Sequence, residues 1–190
     1  MRAAVGVLSE HGVAGTTHRL VAEAADVPLG SLTYYFSSLA DLREQAFRRL
    51  ATELSARYAA TFEQVRSRDD LVEALTNLIG RQAGAEPDDL LLAYELYLAA
   101  LRDPALREVT EGWMRASRTV LERYVDPVTA RGVDALVEGL VMHNALSTAP
   151  LGREDIRTIV RNVIGAAGWL PTSSPGSAPD TDLPTRQGTP

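Results

Sequence analysis

The fold is decided by residues 16–36, which read TTHRLVAEAADVPLGSLTYYF. This stretch has the pattern of a helix, a tight turn and a second, shorter helix. Thr17 places a hydroxyl where it can cap the first helix, and Asp26 lies at the turn, where a positive φ is needed and Asp is tolerated. Pro28 and Leu29 then restart the chain as a helix. The stretch therefore predicts a helix-turn-helix.

The second helix of this stretch has a surface that does not suit a protein interior. Gly30, Ser31 and Thr33 are small or hydroxylated, so the helix backbone can come close to a flat polar partner. Tyr34 and Tyr35 place hydroxyls one turn later, at a height that suits phosphate oxygens. Such a surface fits the major groove of DNA. A plain helical hairpin inside a bundle stays open as the alternative, because short helix-turn-helix patterns also arise by chance.

Outside this stretch, apolar residues recur every three or four positions, and no segment alternates convincingly with period two. The sequence therefore predicts an all-α fold. Gly12 is expected to end the first helix, and Asp69 or Asp70 to cap the fifth. The polar, Pro-rich residues 171–190 are predicted to be a disordered tail. The predicted helices cover about 2–11, 17–25, 29–36, 39–66, 69–84, 87–102, 104–125, 127–147 and 154–169.

The charge of the chain is divided unevenly along its length. Residues 1–50 contain five Arg and five acidic residues, so the net charge of −6 comes entirely from the other 140 residues. All 19 basic residues are Arg. A neutral N-terminal module joined to an acidic body is compatible with local DNA contact, although it is a weak electrostatic binder.

Several functional classes are disfavoured by what the sequence lacks. There is no cysteine, which excludes disulfides and thiolate metal sites. The three histidines are scattered and no Gly-rich phosphate loop is present, so we expect neither an enzyme nor a cofactor or metal site. No long apolar run and no leader pattern is found, so a soluble cytoplasmic protein without a membrane partner is expected.

Residues 12–36, GVAGTTHRLVAEAADVPLGSLTYYF, followed by LADL at 39–42, resemble the DNA-binding domain of the TetR family of transcriptional regulators. The resemblance implies an N-terminal three-helix domain at 1–48, joined by a long helix to an all-helical ligand-binding and dimerisation domain at 49–170. It further implies a homodimer whose third helices enter the major grooves of a palindromic double-stranded operator. A small molecule bound in the body would alter the spacing of the two heads.

The resemblance also assigns DNA contacts by position. Thr17 and Tyr35 would contact phosphates, and His18 either phosphates or bases. The family usually has Lys where Leu39 stands, and Arg43, one turn further on, partly compensates. The full set of assigned DNA-binding residues is Thr17, His18, Arg19, Gly30, Ser31, Thr33, Tyr34, Tyr35 and Arg43.

A candidate ligand site lies in the body of the chain. Tyr94 and Tyr97 share a helix face, and Trp113 follows on the next helix. They are either ordinary core or the wall of a cavity for an apolar or aromatic effector. His143 and Asn144 form a polar pair that either orients this ligand or hydrogen-bonds within a dimer core.

The last two predicted helices carry more β-branched apolar surface than one helix pair needs. Two such pairs, one from each subunit, would bury it as a four-helix bundle. The predicted dimer residues are Val133, Leu136, Val137, Leu140, Val141, Ile156, Ile159, Val160 and Val163.

Together these features predict a ligand-responsive, DNA-binding transcriptional regulator that acts as a repressor. The rival prediction is a helical-bundle carrier or small enzyme whose helix-turn-helix is structural; the acidic charge and the missing Lys favour it. A regulator with no ligand, whose body is filled by side chains, is a second alternative.

Overall fold

The computed structural model describes residues 1–83 and 87–166. Within these ranges the secondary structure is helical with no β-strand, so the predicted all-α fold class is confirmed. The predicted tail at 171–190 and the predicted helix end beyond residue 166 lie outside the described residues. The helices are α1 (Arg2–Gly15), α2 (His18–Ala24), α3 (Leu29–Tyr35), α4 (Leu39–Thr61), α5 (Arg68–Ala83), α6 (Pro87–Ala100), α7 (Pro104–Leu121), α8 (Pro127–Leu146) and α9 (Arg153–Ala166).

Helices α2 and α3 form the predicted helix-turn-helix. The Leu20 amide donates a hydrogen bond to the Thr17 hydroxyl at 3.2 Å, which confirms the cap at the start of α2. Asp26 has a φ of 52°, so the predicted turn is also confirmed. The Val27 amide closes the turn by donating to the Ala22 carbonyl at 3.0 Å. Local sequence therefore determines this element, because cap, turn and restart are all made by neighbouring residues.

Helix α1 is interrupted at Gly12, where the sequence analysis expects the first helix to end, and a short second helical segment continues to Gly15. Gly12 has φ 68° and ψ 175°, a conformation that is essentially restricted to glycine. The bend is supported by α6, because the Val13 amide donates to Glu95 Oε2 at 2.7 Å. A contact 82 residues away thus satisfies the backbone at the bend.

Helix α4 is shorter than predicted and ends at Thr61 rather than near residue 66. Phe62 leaves the helical conformation and is fully buried. The Phe62 carbonyl lies beyond the end of the helix and accepts hydrogen bonds from the Tyr124 hydroxyl at 2.9 Å and the Val65 amide at 3.2 Å.

Ser67, and not Asp69 or Asp70, occupies the position that caps α5. The Asp70 amide donates to the Ser67 hydroxyl at 3.1 Å, and the Ser67 amide donates to Asp70 Oδ2 at 2.9 Å. This reciprocal pair is a capping box with Asp in place of Glu.

The described residues form two hydrophobic clusters, and the first of them crosses the predicted domain boundary at residues 48–49, which lies inside α4. The first cluster joins α1–α4 to one side of α6 and α7 through Leu92, Leu96, Leu106 and Val109. The second joins the end of α4 to α5, α7, α8 and α9. Helices α4, α6 and α7 therefore connect the helix-turn-helix mechanically to the body.

Five of the nine predicted dimer residues lie inside the protomer core. Their side chains are at most 4% exposed because α5 packs against both α8 and α9 and covers them. The prediction is corrected on this point, since side chains that α5 covers cannot also face a partner subunit. The remaining four, Leu136, Leu140, Ile159 and Val163, are half-buried. The five covered residues are Val133, Val137, Val141, Ile156 and Val160.

Candidate functional site

Helix α3 presents an exposed surface. Tyr34 is 84% exposed and Tyr35 is 72% exposed, and their rings pack edge to face with centroids 5.2 Å apart. A side chain added at Gly30 would meet nothing within 4 Å. Thr33 is exposed, and its hydroxyl donates to the Gly30 carbonyl at 3.0 Å. The surface is low near Gly30 and rises to two tyrosines at its C-terminal end.

The residues around α2 and the start of α4 border this surface. Thr17 and Arg19 are exposed, whereas Ser31 and His18 are half-buried. His18 Nε2 is inaccessible and has no hydrogen-bond partner among the described residues. Arg43 Nη2 donates to the Thr16 carbonyl at 3.0 Å, so its guanidinium group holds the segment that leads into α2.

A cavity of about 550 Å³ lies in the body between α4, α5, α6, α7 and α8. Its wall includes the rings of Tyr58, Tyr94 and Trp113 and the carboxyl groups of Asp134 and Glu138. A volume of this size suits a small organic ligand, and ring-lined walls with a few polar groups are typical of such sites.

The aromatic part of this wall extends behind the cavity lining. Tyr97 stacks on Trp113 with ring centroids 5.3 Å apart and ring planes within 5°, and Tyr94 lies 6.5 Å from Tyr97. The hydroxyls of Tyr58 and Tyr94 are buried and have no partner in the part of the chain that the structure describes. Burial raises the pKa of Tyr94 to about 12 and also raises the pKa values of Tyr58 and Tyr97. All three phenols are therefore neutral at physiological pH.

The two carboxyl groups differ in their partners. Arg118 Nε lies 3.0 Å from Asp134 Oδ2, yet burial outweighs this ion pair and raises the pKa of Asp134. Burial, and next the nearby charge of Asp134, raise the pKa of Glu138 to about 7, while a hydrogen bond from the Tyr97 hydroxyl opposes the rise. Glu138 thus changes its charge near neutral pH.

Comparison with known proteins identifies the architecture that carries these two sites. Residues 1–46 match the family model described as bacterial regulatory proteins, tetR family. Residues 66–166 match the model described as the tetracyclin repressor-like C-terminal domain. This chain belongs to the TetR family of transcriptional regulators. The resemblance found in the helix-turn-helix sequence is thereby confirmed.

Individual members of the TetR family are similar over most of the chain. CymR of Pseudomonas putida is 30% identical over 135 residues, which are 69% of this chain and 64% of CymR. SCO7518 of Streptomyces coelicolor A3(2), described as a transcriptional regulator, is 39% identical with a TM-score of 0.82, covering 86% of this chain and 94% of SCO7518. The multidrug binding protein EbrR, solved with ethidium, is 37% identical with a TM-score of 0.75, covering 85% and 94%.

In this TetR-family protein the predicted ligand residues are only partly brought together. Tyr94 and Trp113 line the cavity, and Tyr97 supports Trp113 from behind. His143 is exposed and lies outside the cavity lining. Asn144 is buried elsewhere, where its Oδ1 accepts a hydrogen bond from the Leu151 amide at 3.1 Å. The structure therefore separates the polar pair from the aromatic wall with which the sequence analysis grouped it.

Sequence reasoning missed the two carboxyl groups of the cavity. Asp134 and Glu138 are four residues apart within GVDALVEGLV, so they share a face of a helix that is otherwise mainly apolar. An acidic pair inside such a segment could have indicated a polar site in the body, because a charge on a buried helix face needs a partner.

Two negative findings apply to residues 1–83 and 87–166. Within them no group of metal-binding side chains is arranged to hold an ion. None of the helices there combines the length and the apolar character that crossing a bilayer requires.

Proposed function

We propose that this TetR-family regulator is a repressor that binds a palindromic operator as a homodimer and leaves it when a small molecule fills the cavity. One observation carries the proposal. Helix α6 contacts both the cavity and the head: Tyr94 lines the cavity, and the next residue, Glu95, accepts a hydrogen bond from the Val13 amide of α1. The proposal includes a cytoplasmic location, where a repressor meets the chromosome, and no catalytic activity.

The DNA contacts of the proposal follow the exposed surface of the head. Thr17 and Tyr35 contact phosphates, while Arg19 and Tyr34 reach base edges or the backbone beside them. His18 joins either set, and Gly30, Ser31 and Thr33 let the α3 backbone approach the groove. Arg43 acts indirectly, since its hydrogen bond to the Thr16 carbonyl positions the start of α2.

The homodimer of the proposal uses the outer face of α8. Residues three or four apart form a stripe opposite the buried Val133–Val141 face, and most of them are exposed, including Val128 at 79% and Leu146 at 78%. Side chains added at Gly132 or Gly139 would meet nothing within 4 Å, so a second helix can approach closely there. The half-buried Leu136, Leu140, Ile159 and Val163 border this contact. The stripe is Val128, Gly132, Ala135, Gly139, Met142 and Leu146.

The effector of the proposal is an apolar or aromatic molecule bound against Tyr94, Tyr97 and Trp113. The EbrR complex with ethidium supports a ligand site in this fold. His143 and Asn144 do not contact the effector. His143 lies outside the cavity lining, and Asn144 Oδ1 accepts a hydrogen bond from the Leu151 amide.

In this proposal, helix α6 couples the cavity to the DNA-binding head. Tyr94 lines the cavity, and the next residue, Glu95, accepts the hydrogen bond from the Val13 amide beside the Gly12 bend. A ligand that favours one position of α6 therefore also favours one position of α1. Binding would then shift the population of head spacings without any contact between ligand and DNA.

Operator binding tests the proposal directly. DNA from just upstream of the gene that encodes this chain is titrated at fixed low salt with the full-length protein. Tyr34→Ala and Arg19→Ala should each weaken binding about tenfold or more, because a base or phosphate contact is lost in both heads.

Arg115→Ala, an exposed change on α7, is the matched control and should bind normally. Variants that keep their helical circular dichroism and still bind as tightly as the wild type would overturn the site assignment. No binding by the wild-type protein at low salt would favour a ligand-binding bundle whose helix-turn-helix is structural.

A further inference from the structure

Glu138 is a half-buried acidic residue of the cavity that has no counter-ion among the described residues. Arg118 pairs with the neighbouring Asp134 at 3.0 Å, so that guanidinium group is already engaged. Across the described parts of the chain, no ion pair to Glu138 is formed, and the Tyr97 hydroxyl is the group that stabilises its carboxylate. A buried carboxylate without a cation is unfavourable, so an incoming positive charge would be stabilised there.

The surfaces beside Glu138 are ring faces and hydroxyls. Trp113 and Tyr94 line the same cavity, and Tyr97 stacks on Trp113. Aromatic ring faces attract cations and also stack on flat rings. The unpartnered hydroxyls of Tyr58 and Tyr94 add polar groups without adding charge. The carboxylate and the rings thus favour the same kind of ligand.

The positive groups of the cavity lie at its solvent side. Arg57 and Arg81 contribute to the lining, but both residues are exposed, and Arg81 Nε donates to the Asn77 carbonyl at 3.3 Å. Asp134 is buried and Glu138 is half-buried. Among the described residues of the cavity lining, the carboxyl groups therefore lie on the inner wall, and an anionic ligand would meet both of them there.

We propose that the cavity takes a flat aromatic cation, with the Glu138 carboxylate as its counter-ion and Trp113 and Tyr94 as its stacking surfaces. This proposal rests on the proposed function of the cavity as the effector site and specifies the class of effector. Asp134 does not share the role, because Arg118 holds it. The contacts with the rings determine the shape of the ligand, and the contact with Glu138 determines its charge.

The charge state of Glu138 links this binding to pH. Its pKa of about 7 in the empty cavity means that a large part of the population is protonated below neutral pH. A cation binds the ionised form, so binding releases a proton and the affinity rises as the pH rises through 7. Since only the ionised fraction is competent, the affinity should increase about tenfold between pH 6 and pH 8.

The test compares two probes of nearly the same shape by calorimetric titration of the full chain at pH 8. 10-Methylacridinium is a permanent cation, and acridine is neutral at that pH. Glu138→Gln should weaken 10-methylacridinium binding about tenfold or more and change acridine binding less than threefold. Glu111→Gln, an exposed change on α7, should alter neither. Circular dichroism and the thermal midpoint should show Glu138→Gln folded, since the variant only removes a half-buried charge.

A pH series with 10-methylacridinium completes the test. The wild type should bind more tightly at pH 8 than at pH 6 and release a proton, as measured in buffers of different ionisation enthalpy, and Glu138→Gln should do neither. Equal loss of both probes in Glu138→Gln, tighter binding of acridine than of the cation, or no binding of either probe would overturn the inference. If the cation binds through Glu138 but leaves operator affinity unchanged, the inference stands and the proposed function fails.

Discussion

Replacing Gly12 with alanine tests the bend that joins the head to α6. Gly12 has φ 68° and ψ 175°, and a Cβ atom placed there would lie 2.8 Å from Glu95 Oε1. The substitution thus forces a side chain into a backbone region reserved for glycine and pushes the carboxylate that accepts the Val13 amide. We expect Gly12→Ala to destabilise the protein and to loosen the contact between α1 and α6.

The expected size follows from these two effects. A non-glycine residue in such a conformation costs about 1–3 kcal/mol. Displacing Glu95 would leave the part-buried Val13 amide without an acceptor, which costs about 1–3 kcal/mol. Because Glu95 is a flexible side chain and can move part of the way, we expect the free energy of unfolding to fall by about 2–4 kcal/mol in total.

Urea unfolding followed by circular dichroism at a fixed protein concentration measures this change. Gly6→Ala is the matched control, since Gly6 lies in the same helix, is exposed and has open space around it. It should stabilise the protein by about 0.5–1 kcal/mol, because alanine favours a regular helix. If Gly12→Ala stabilises the protein as Gly6→Ala does, α1 is straight and the proposed link between α6 and the head is wrong.

Two further predictions concern the body. Tyr124→Phe should lower the free energy of unfolding by about 0.5–1.5 kcal/mol in the same urea assay, because the Phe62 carbonyl loses the hydroxyl donor at 2.9 Å and keeps only the Val65 amide at 3.2 Å; an unchanged midpoint would contradict the reason given for the end of α4. Gly132→Glu should convert the dimer to a monomer in size-exclusion chromatography with light scattering, whereas Gly112→Glu, an exposed change on α7, should not; a dimeric Gly132→Glu variant would place the partner contact elsewhere.

Sequence reasoning succeeded where the structure depends on neighbouring residues. The Thr17 cap, the turn at Asp26 and the exposed tyrosines of α3 could all be predicted, because each involves residues a few positions apart. The helical periodicity of the body gave the fold class for the same reason.

It failed where distant parts of the chain meet. The short helical segment after Gly12 contacts Glu95, and the end of α4 contacts Tyr124, which lies 62 residues further along the chain. Periodicity also shows that a helix face is apolar without showing what covers it. The Val133, Val137 and Val141 face was therefore assigned to a partner subunit, although α5 covers it.

The candidate cavity could not be predicted either, because its residues come from distant parts of the chain. Its rings come from α4, α6 and α7, and its carboxyl groups come from α8, so no single segment carries the pattern. The sequence indicated Tyr94, Tyr97 and Trp113 because they are close along the chain. Glu138 became a candidate only once the fold placed it beside them.

In the proposed mechanism, two heads held by one dimer read DNA and the cavity controls their spacing. Fluorescence anisotropy of a labelled upstream palindrome, compared with a half-site fragment of equal length at the same salt concentration, tests it most directly. We expect tight binding of the palindrome, poor binding of the half-site, and loss of palindrome binding when 10-methylacridinium fills the cavity. Equal affinity for both fragments, or palindrome affinity that no cavity ligand changes, would contradict it.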